Sequence, residues 1–241
     1  MKRHTVLCSA FALFLASGLA ACGDRAAETA AAEGAATSGW AIPPRIDSVV
    51  AAQGVLIFKG QAQPGGRVVL RSAEGAAYAA VADDRGGFDI RMAAPTGPVM
   101  LTPETQVGQE ASPAPQRLMI LDGGRGPIAL LTPGAPARRL DAAPSLGAVD
   151  ADGRSVLVSG RAAPGGEISV QIDDRPSVAV QTGPDGAWSL PAEGVGARRI
   201  AVEGEVFAYP GAGPAGRAGK GWRIDWTAPD GARQSTWLPD A

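Results

Sequence analysis

The chain has 241 residues, 45% of them hydrophobic and 19% charged, the balance of a protein that buries cores. A formal net charge of −2, with basic residues scattered along the chain, leaves no basic patch for a nucleic-acid backbone, so nucleic acid is set aside as a partner. The 33 Gly and 20 Pro are too few for an aperiodic disordered chain and point instead to turn-rich β structure.

At the N-terminus Lys2 and Arg3 precede an apolar run over residues 6–15, and small residues then lead to Cys22. This is the three-part pattern of a secretory signal, too short to span a bilayer as a helix. Leu19-Ala20-Ala21-Cys22 resembles the lipobox of bacterial lipoproteins. The resemblance implies cleavage before Cys22, a thioether-linked diacylglycerol on its sulfur, and acylation of the new amine. One acyl chain holds a protein marginally, at about 0.8 kcal/mol per buried methylene, whereas two or three make a stable anchor. The membrane is thus the first expected partner. In that family an Asp directly after the cysteine favours inner-membrane retention. Gly23 stands there and Asp24 one position later, so an outer-membrane lipoprotein is expected, on the periplasmic or the surface face. Removal of residues 1–21 takes away Lys2, Arg3, the only histidine, His4, and Cys8. What remains has 20 basic and 24 acidic residues and one cysteine, so no disulfide can form within it.

Residues 22–41 read as a flexible tether, since no large apolar side chain occurs between 23 and 38. The chain beyond it repeats. Gly60-Gln61-Ala62-Gln63-Pro64-Gly65-Gly66 returns as Gly160-Arg161-Ala162-Ala163-Pro164-Gly165-Gly166. The same offset of 100 residues pairs Ile46 with Leu146, Val49 with Val149, Phe58 with Val158, Leu70 with Val170 and Phe88 with Trp188. A period of this length is a whole small domain. The expected organisation is repeat 1 over 42–133, a stiff linker over 134–144, and repeat 2 over 145–241.

Alternation and turn residues place strands in repeat 1 at 45–50, 55–60, 67–71, 78–82, 88–90, 99–102, 118–121 and 128–131. Repeat 2 follows with 146–149, 156–160, 167–172, 177–181, 188–190 and 199–203, and ends in a hairpin, 222–226 and 234–238, around Pro229-Asp230-Gly231. Residues 210–221 and 108–116 are expected to be exposed loops. Short, regularly spaced strands without a helix-period segment argue for an all-β fold, two tandem antiparallel β-sandwiches. The pattern apolar-x-apolar-x-Gly-x-Ala-x-Pro-Gly-Gly, followed by an Asp/Gly turn and Phe/Trp-x-Ile/Leu, resembles bacterial Ig-like repeats over about 45–103 and 145–203. Carboxypeptidase-regulatory-like and fibronectin-type modules share such turns. The resemblance implies a structural, spacing or adhesive role and supplies no catalytic residue.

The Gly-rich corner lacks the Gly-Lys-Ser/Thr of a phosphate loop and reads as a turn with glycine at positive φ after a proline. Asp83-Asp84, Asp173-Asp174 and Asp150-Ala151-Asp152-Gly153 lack the longer acidic run of a calcium loop, and are expected to be solvated turn residues with no metal bound. Without His or a free thiol, nucleophilic triads and most metal chemistry drop out, so no enzyme activity and no cofactor are expected. Trp222, Ile224 and Trp226 share one strand face and should be core, as should Trp188, with Arg223 and Asp225 pointing outward. Trp40, Tyr209 and Trp237 lie at module edges or beside a Gly/Pro loop, and are the candidate contacts for a glycan or protein ligand. The expected function is a non-catalytic structural or protein-interaction module of the envelope; the alternative is carbohydrate or peptidoglycan binding through those aromatics.

Overall fold

The computed structural model describes residues 41–241. The first copy runs through β1 (Arg45–Ala52), β2 (Val55–Gln61), β3 (Arg67–Ser72), β4 (Ala77–Val81), β5 (Gly87–Ala93), β6 (Val99–Val107), β7 (Glu110–Pro113), β8 (Arg117–Ile120) and β9 (Ile128–Leu131). The segment between the copies holds β10 (Arg138–Arg139). The second copy comprises β11 (Leu146–Ala151), β12 (Ser155–Arg161), β13 (Glu167–Ile172), β14 (Val178–Gln181), β15 (Ala187–Glu193), β16 (Arg198–Val202), β17 (Glu205–Tyr209), β18 (Gly216–Arg217), β19 (Gly221–Thr227) and β20 (Arg233–Pro239). All strand pairs are antiparallel. The one helical element among the described residues is a single 3-10 turn, Asp122–Gly124. The fold is all-β and antiparallel, as the spacing of strands and turns predicts.

Each copy is a sandwich closed by its own core. In the first, β1-β2-β5 faces β10-β9-β8-β6-β3-β4, with β7 beside β6. Leu56, Phe58, Phe88 and Ile90 from one sheet meet Val68, Leu70, Leu101 and Leu118 from the other. In the second, Val156, Val158 and Trp188 of the sheet β15-β12-β11-β20-β19-β18 meet Ile168, Val170 and Ile200 of β14-β13-β16-β17. The offset of 100 holds to the level of single pairs: Val49 lies opposite Phe58 as Val149 does Val158, and Gly60 opposite Phe88 as Gly160 does Trp188. Both first strands carry an irregularity at the same place, after Ile46 and after Leu146.

The repeated motif is a structural corner with two duties. A Cβ added to Gly60 would sit 2.0 Å from the Arg45 carbonyl oxygen and 2.6 Å from the Phe88 ring, and one on Gly160 would sit 2.1 Å from the Ser145 oxygen and 2.8 Å from the Trp188 ring. The missing side chain therefore lets the first strand and the aromatic ring close onto the second strand. Four residues later the chain reverses. Pro64 and Pro164 preset the first turn position and Gly65 (φ +72) and Gly165 (φ +66) take the positive φ of the next, as a type II turn requires.

The copies diverge in their last hairpins. In the first copy β8-β9 extends the sheet of β3 and β6, whereas in the second β19-β20 joins the opposite sheet, with β20 against β11. This divergence builds a third core between the sandwiches. Met119, Leu121, Ala129 and Leu131 of the first copy, with Ala137, pack against Ala148, Ile224, Trp226, Ala228 and Leu238 of the second. Both faces of β8 and β9 are consequently buried: Leu118 and Ile128 face the first core while Met119 and Ala129 face the seam. That is why these strands read as unbroken apolar runs rather than alternating ones.

Several expectations are corrected here. Part of 108–116, expected to be loop, is strand, as β7 returns along β6. The strand β17, which alternation did not place, returns along β16 through Glu203 and Gly204, both at positive φ. Part of 210–221 is strand, as β18 pairs with β19. The segment between the copies is held into the fold, with Arg138 and Arg139 paired to Leu130 and Ala129 of β9. Arg223 does not point into water. It is 5% exposed and donates to the carbonyl oxygens of Gly211 and Pro214, which explains how a residue opposite the seam face can be charged and buried. Asp225, by contrast, is exposed.

Candidate functional site

Among the residues singled out from the sequence, Cys22 and Trp40 lie outside the described residues. Tyr209 and Trp237 are not edge aromatics. They are 3% and 2% exposed, their rings meet edge to face at a centroid distance of 5.8 Å, and the Trp237 indole N–H donates to the Ala218 carbonyl oxygen at 2.9 Å. Both belong to the second core, because β20 lies between β11 and β19 and places Trp237 on the inner face of the sheet. Neither ring offers a face to a ligand.

The acidic pairs act mainly as local caps. Asp83 Oδ1 accepts from the backbone N–H of Arg85 and Gly87, and Asp152 Oδ1 from those of Arg154 and Ser155. Those amides hold the Asp152 carboxyl below its ordinary range. Asp173 pairs with Arg198 at 3.0 Å and Asp174 with Arg199 at 3.0 Å. Among the described residues no three His, Cys, Asp or Glu side chains converge on one point.

Asp150 is the exception to the solvated-turn reading. It lies on β11 where the seam forms, and its oxygens accept from the backbone N–H of Ala137 at 2.8 Å and the Thr236 hydroxyl at 2.6 Å. Thr236 Oγ1 in turn accepts from the Trp226 indole at 3.2 Å. The hydrogen-bond chain from Trp226 through Thr236 to the accepting Asp150 thus joins β19, β20 and β11, and Ala137 brings in the connecting segment. Burial pushes the Asp150 carboxyl up to about 6, against the opposing pull of the Ala137 and Thr236 hydrogen bonds. Tyr209 is shifted up as well, chiefly by burial, with the Asp150 charge a smaller contribution.

Beside this carboxylate, consecutive arginines of β10 reach into the two copies. Arg138 donates to the carbonyl oxygens of Ile46 and Asp47 on β1. Arg139 donates to the Gly147 oxygen on β11, the counterpart of Asp47, and to the Pro239 oxygen on β20 at 2.8 Å. Arg139 is also fixed by a bidentate pair with Asp141, at 2.8 and 2.6 Å, whose Oδ1 accepts from the Ile128 N–H as well. Residues 138 and 139 face opposite ways along a strand, so one short segment grips both sandwiches. Burial, then repulsion from Arg161, lowers the Arg138 guanidinium from its ordinary value.

Cavities border this region. One of about 390 Å³ is lined by Arg138, Arg139, Ser159, Gly160 and Trp188. The Ser159 hydroxyl and the Trp188 indole N–H are buried without a hydrogen-bond partner. The cavity wall thus combines two guanidinium groups, two unpartnered donors and the apolar ring of Trp188.

No known protein-family model matches the chain, and no curated protein is significantly similar to it in sequence.

Proposed function

We propose that this chain is a lipid-anchored protein of the bacterial envelope whose two Ig-like sandwiches form one rigid body, serving as a structural or protein-interaction module. Residues 1–21 act as its signal, Cys22 carries the lipid, and the following residues space the body from the membrane. Support for the anchor is the lipobox at the end of the apolar run. The observation that carries the rigid-body reading is the seam, in which Trp226, Ile224 and Leu238 of one copy are buried against Leu121 and Leu131 of the other. A large side chain buried in this way contributes about 1.5–3 kcal/mol, so the copies hold one orientation rather than swinging on a hinge. The glycan-binding alternative is not favoured, because two of its three rings, Tyr209 and Trp237, lie in the core.

Fractionation tests the anchor. Wild-type chain should partition with membranes and take up labelled fatty acid, and Cys22→Ser should do neither. Normal cleavage with membrane retention in Cys22→Ser would overturn the assignment.

A further inference from the structure

Duplication supplies an internal comparison that bears on the partner. β11 is paired on both sides, with β12 and with β20, whereas among the described residues its counterpart β1 pairs with β2 alone. In the second copy the added strand sets Trp237 opposite Val149, Thr236 opposite Asp150 and Ser235 opposite Ala151. The corresponding positions in the first copy are Val49, Val50 and Ala51, where no strand lies and Val50 is 47% exposed.

The outer edge of β1 borders open space at both ends. A cavity of about 640 Å³ lies between Arg45, Ile46 and Asp47 on one side and Leu130, Thr132 and Arg138 on the other. Another, of about 550 Å³, lies between Ala51 and Ala52 and the turn Gly123, Gly124 and Arg125. Arg138 already occupies the Ile46 and Asp47 carbonyl oxygens, so the free edge begins at Ser48. In the second copy, strand pairing likewise begins only at Val149.

We propose that the outer edge of β1, from Ser48 to Ala52, is a docking site for one extended segment of a partner protein, added antiparallel as β20 is added to β11. Main-chain hydrogen bonds would hold the segment and alternate side chains would select it. The chemistry of the site names the occupant. Ser48 to Ala52 carries no charge, so the segment is uncharged at its centre, with a large apolar residue opposite Val49, as Trp237 is at Val149. Its outward neighbour is apolar rather than hydroxyl-bearing, because Val50 stands where Asp150 receives Thr236. The β8-β9 hairpin of this chain and the residues beside it line the far side of both cavities, so a segment lying along β1 would run between the two sheets of the first sandwich. The stretch 23–38 of this chain lacks any large apolar residue and is a poor occupant. This proposal rests on the interaction-module reading and would name its partner class.

The test uses the full-length chain and a synthetic peptide of residues 232–240 carrying Thr236→Val, the strand that fills the equivalent slot with an apolar residue placed to meet Val50. Amide hydrogen exchange is followed residue by residue with the peptide at millimolar concentration. Exchange at residues 48–52 should slow by about tenfold or more while β11 is unchanged, and Val50→Lys, an edge charge that blocks strand pairing, should weaken binding about tenfold without lowering the melting temperature. No slowing in β1, equal slowing by a scrambled peptide, or equal binding by Val50→Lys would overturn the proposal. So would protection of β1 in the free chain that disappears when residues 23–38 are deleted, since the chain would then fill its own slot. These outcomes are independent of the Cys22→Ser fractionation, so loss of the docking site and loss of the anchor are told apart.

Discussion

Replacing Asp150 by Asn should flatten the dependence of stability on pH and make the protein more stable in mild alkali. In the folded chain the carboxyl is raised from its ordinary 3.8 to about 6, so between those values the folded state holds a proton that the unfolded state has released. The stability linked to that proton is complete below pH 3.8 and is lost as pH rises through about 6. A rise of that size corresponds to roughly 3 kcal/mol. Asp150 is only half-buried as a residue, and solvent reduces the figure to about 1–2 kcal/mol. Asn keeps an oxygen for the Ala137 N–H and offers an amide to Thr236, whose hydroxyl must then turn away, a cost of about 1 kcal/mol. Urea unfolding at a series of pH values from 4 to 8 reads both quantities. Wild-type stability should carry a falling contribution across that interval that Asp150→Asn lacks, with the variant at least equal to wild type at pH 8. A variant with the wild-type pH slope, or one that is weaker at pH 8 by more than about 2 kcal/mol, would show that the carboxylate is welcome in the seam as an ion.

Trp226→Ala should cost about 3–5 kcal/mol and, because its ring bridges the copies, split one calorimetric transition into two. Gly160→Ala should destabilise by about 2 kcal/mol or more, since its methyl meets the Ser145 oxygen and the Trp188 ring, whereas Gly97→Ala, with nothing within 4 Å, should stay within about 0.5 kcal/mol in the same denaturant assay. Trp237→Ala should lower stability by about 3–5 kcal/mol, visible as a fall in melting temperature, and leave sedimentation with peptidoglycan unchanged in the fraction that stays folded.

The inner strands of both sandwiches were legible because turn chemistry and alternation agree in two copies: the Pro-Gly corner, Phe88 with Trp188, and Leu70 with Val170 all occupy the places the offset assigns. The hairpin arms β7 and β17 escaped because Glu110–Pro113 is polar and carries proline, and β17 follows a turn, Glu203-Gly204, whose non-glycine member also takes positive φ. Alternation correctly put Trp222, Ile224 and Trp226 on one face and Arg223 with Asp225 on the other. It could not show that this strand is dry on both sides around Arg223, since burial of the second face is decided by the loop of Gly211 and Pro214, distant in sequence from any periodic signal. Asp150 was hidden for the same reason. Next to Asp152 and Gly153 it looks like a turn residue, and only the arrival of Ala137 and Thr236 makes it part of a seam.

The opposed placement of the last hairpins has a consequence for each copy taken alone. The surface that β19-β20 offers is already spent on β8-β9, and β8-β9 has no equivalent surface left in the first copy. Of the two units, each would expose a different oily face if severed, Met119 and Leu131 on one and Trp226 and Leu238 on the other. Each copy therefore covers an apolar face that the other could not leave in water.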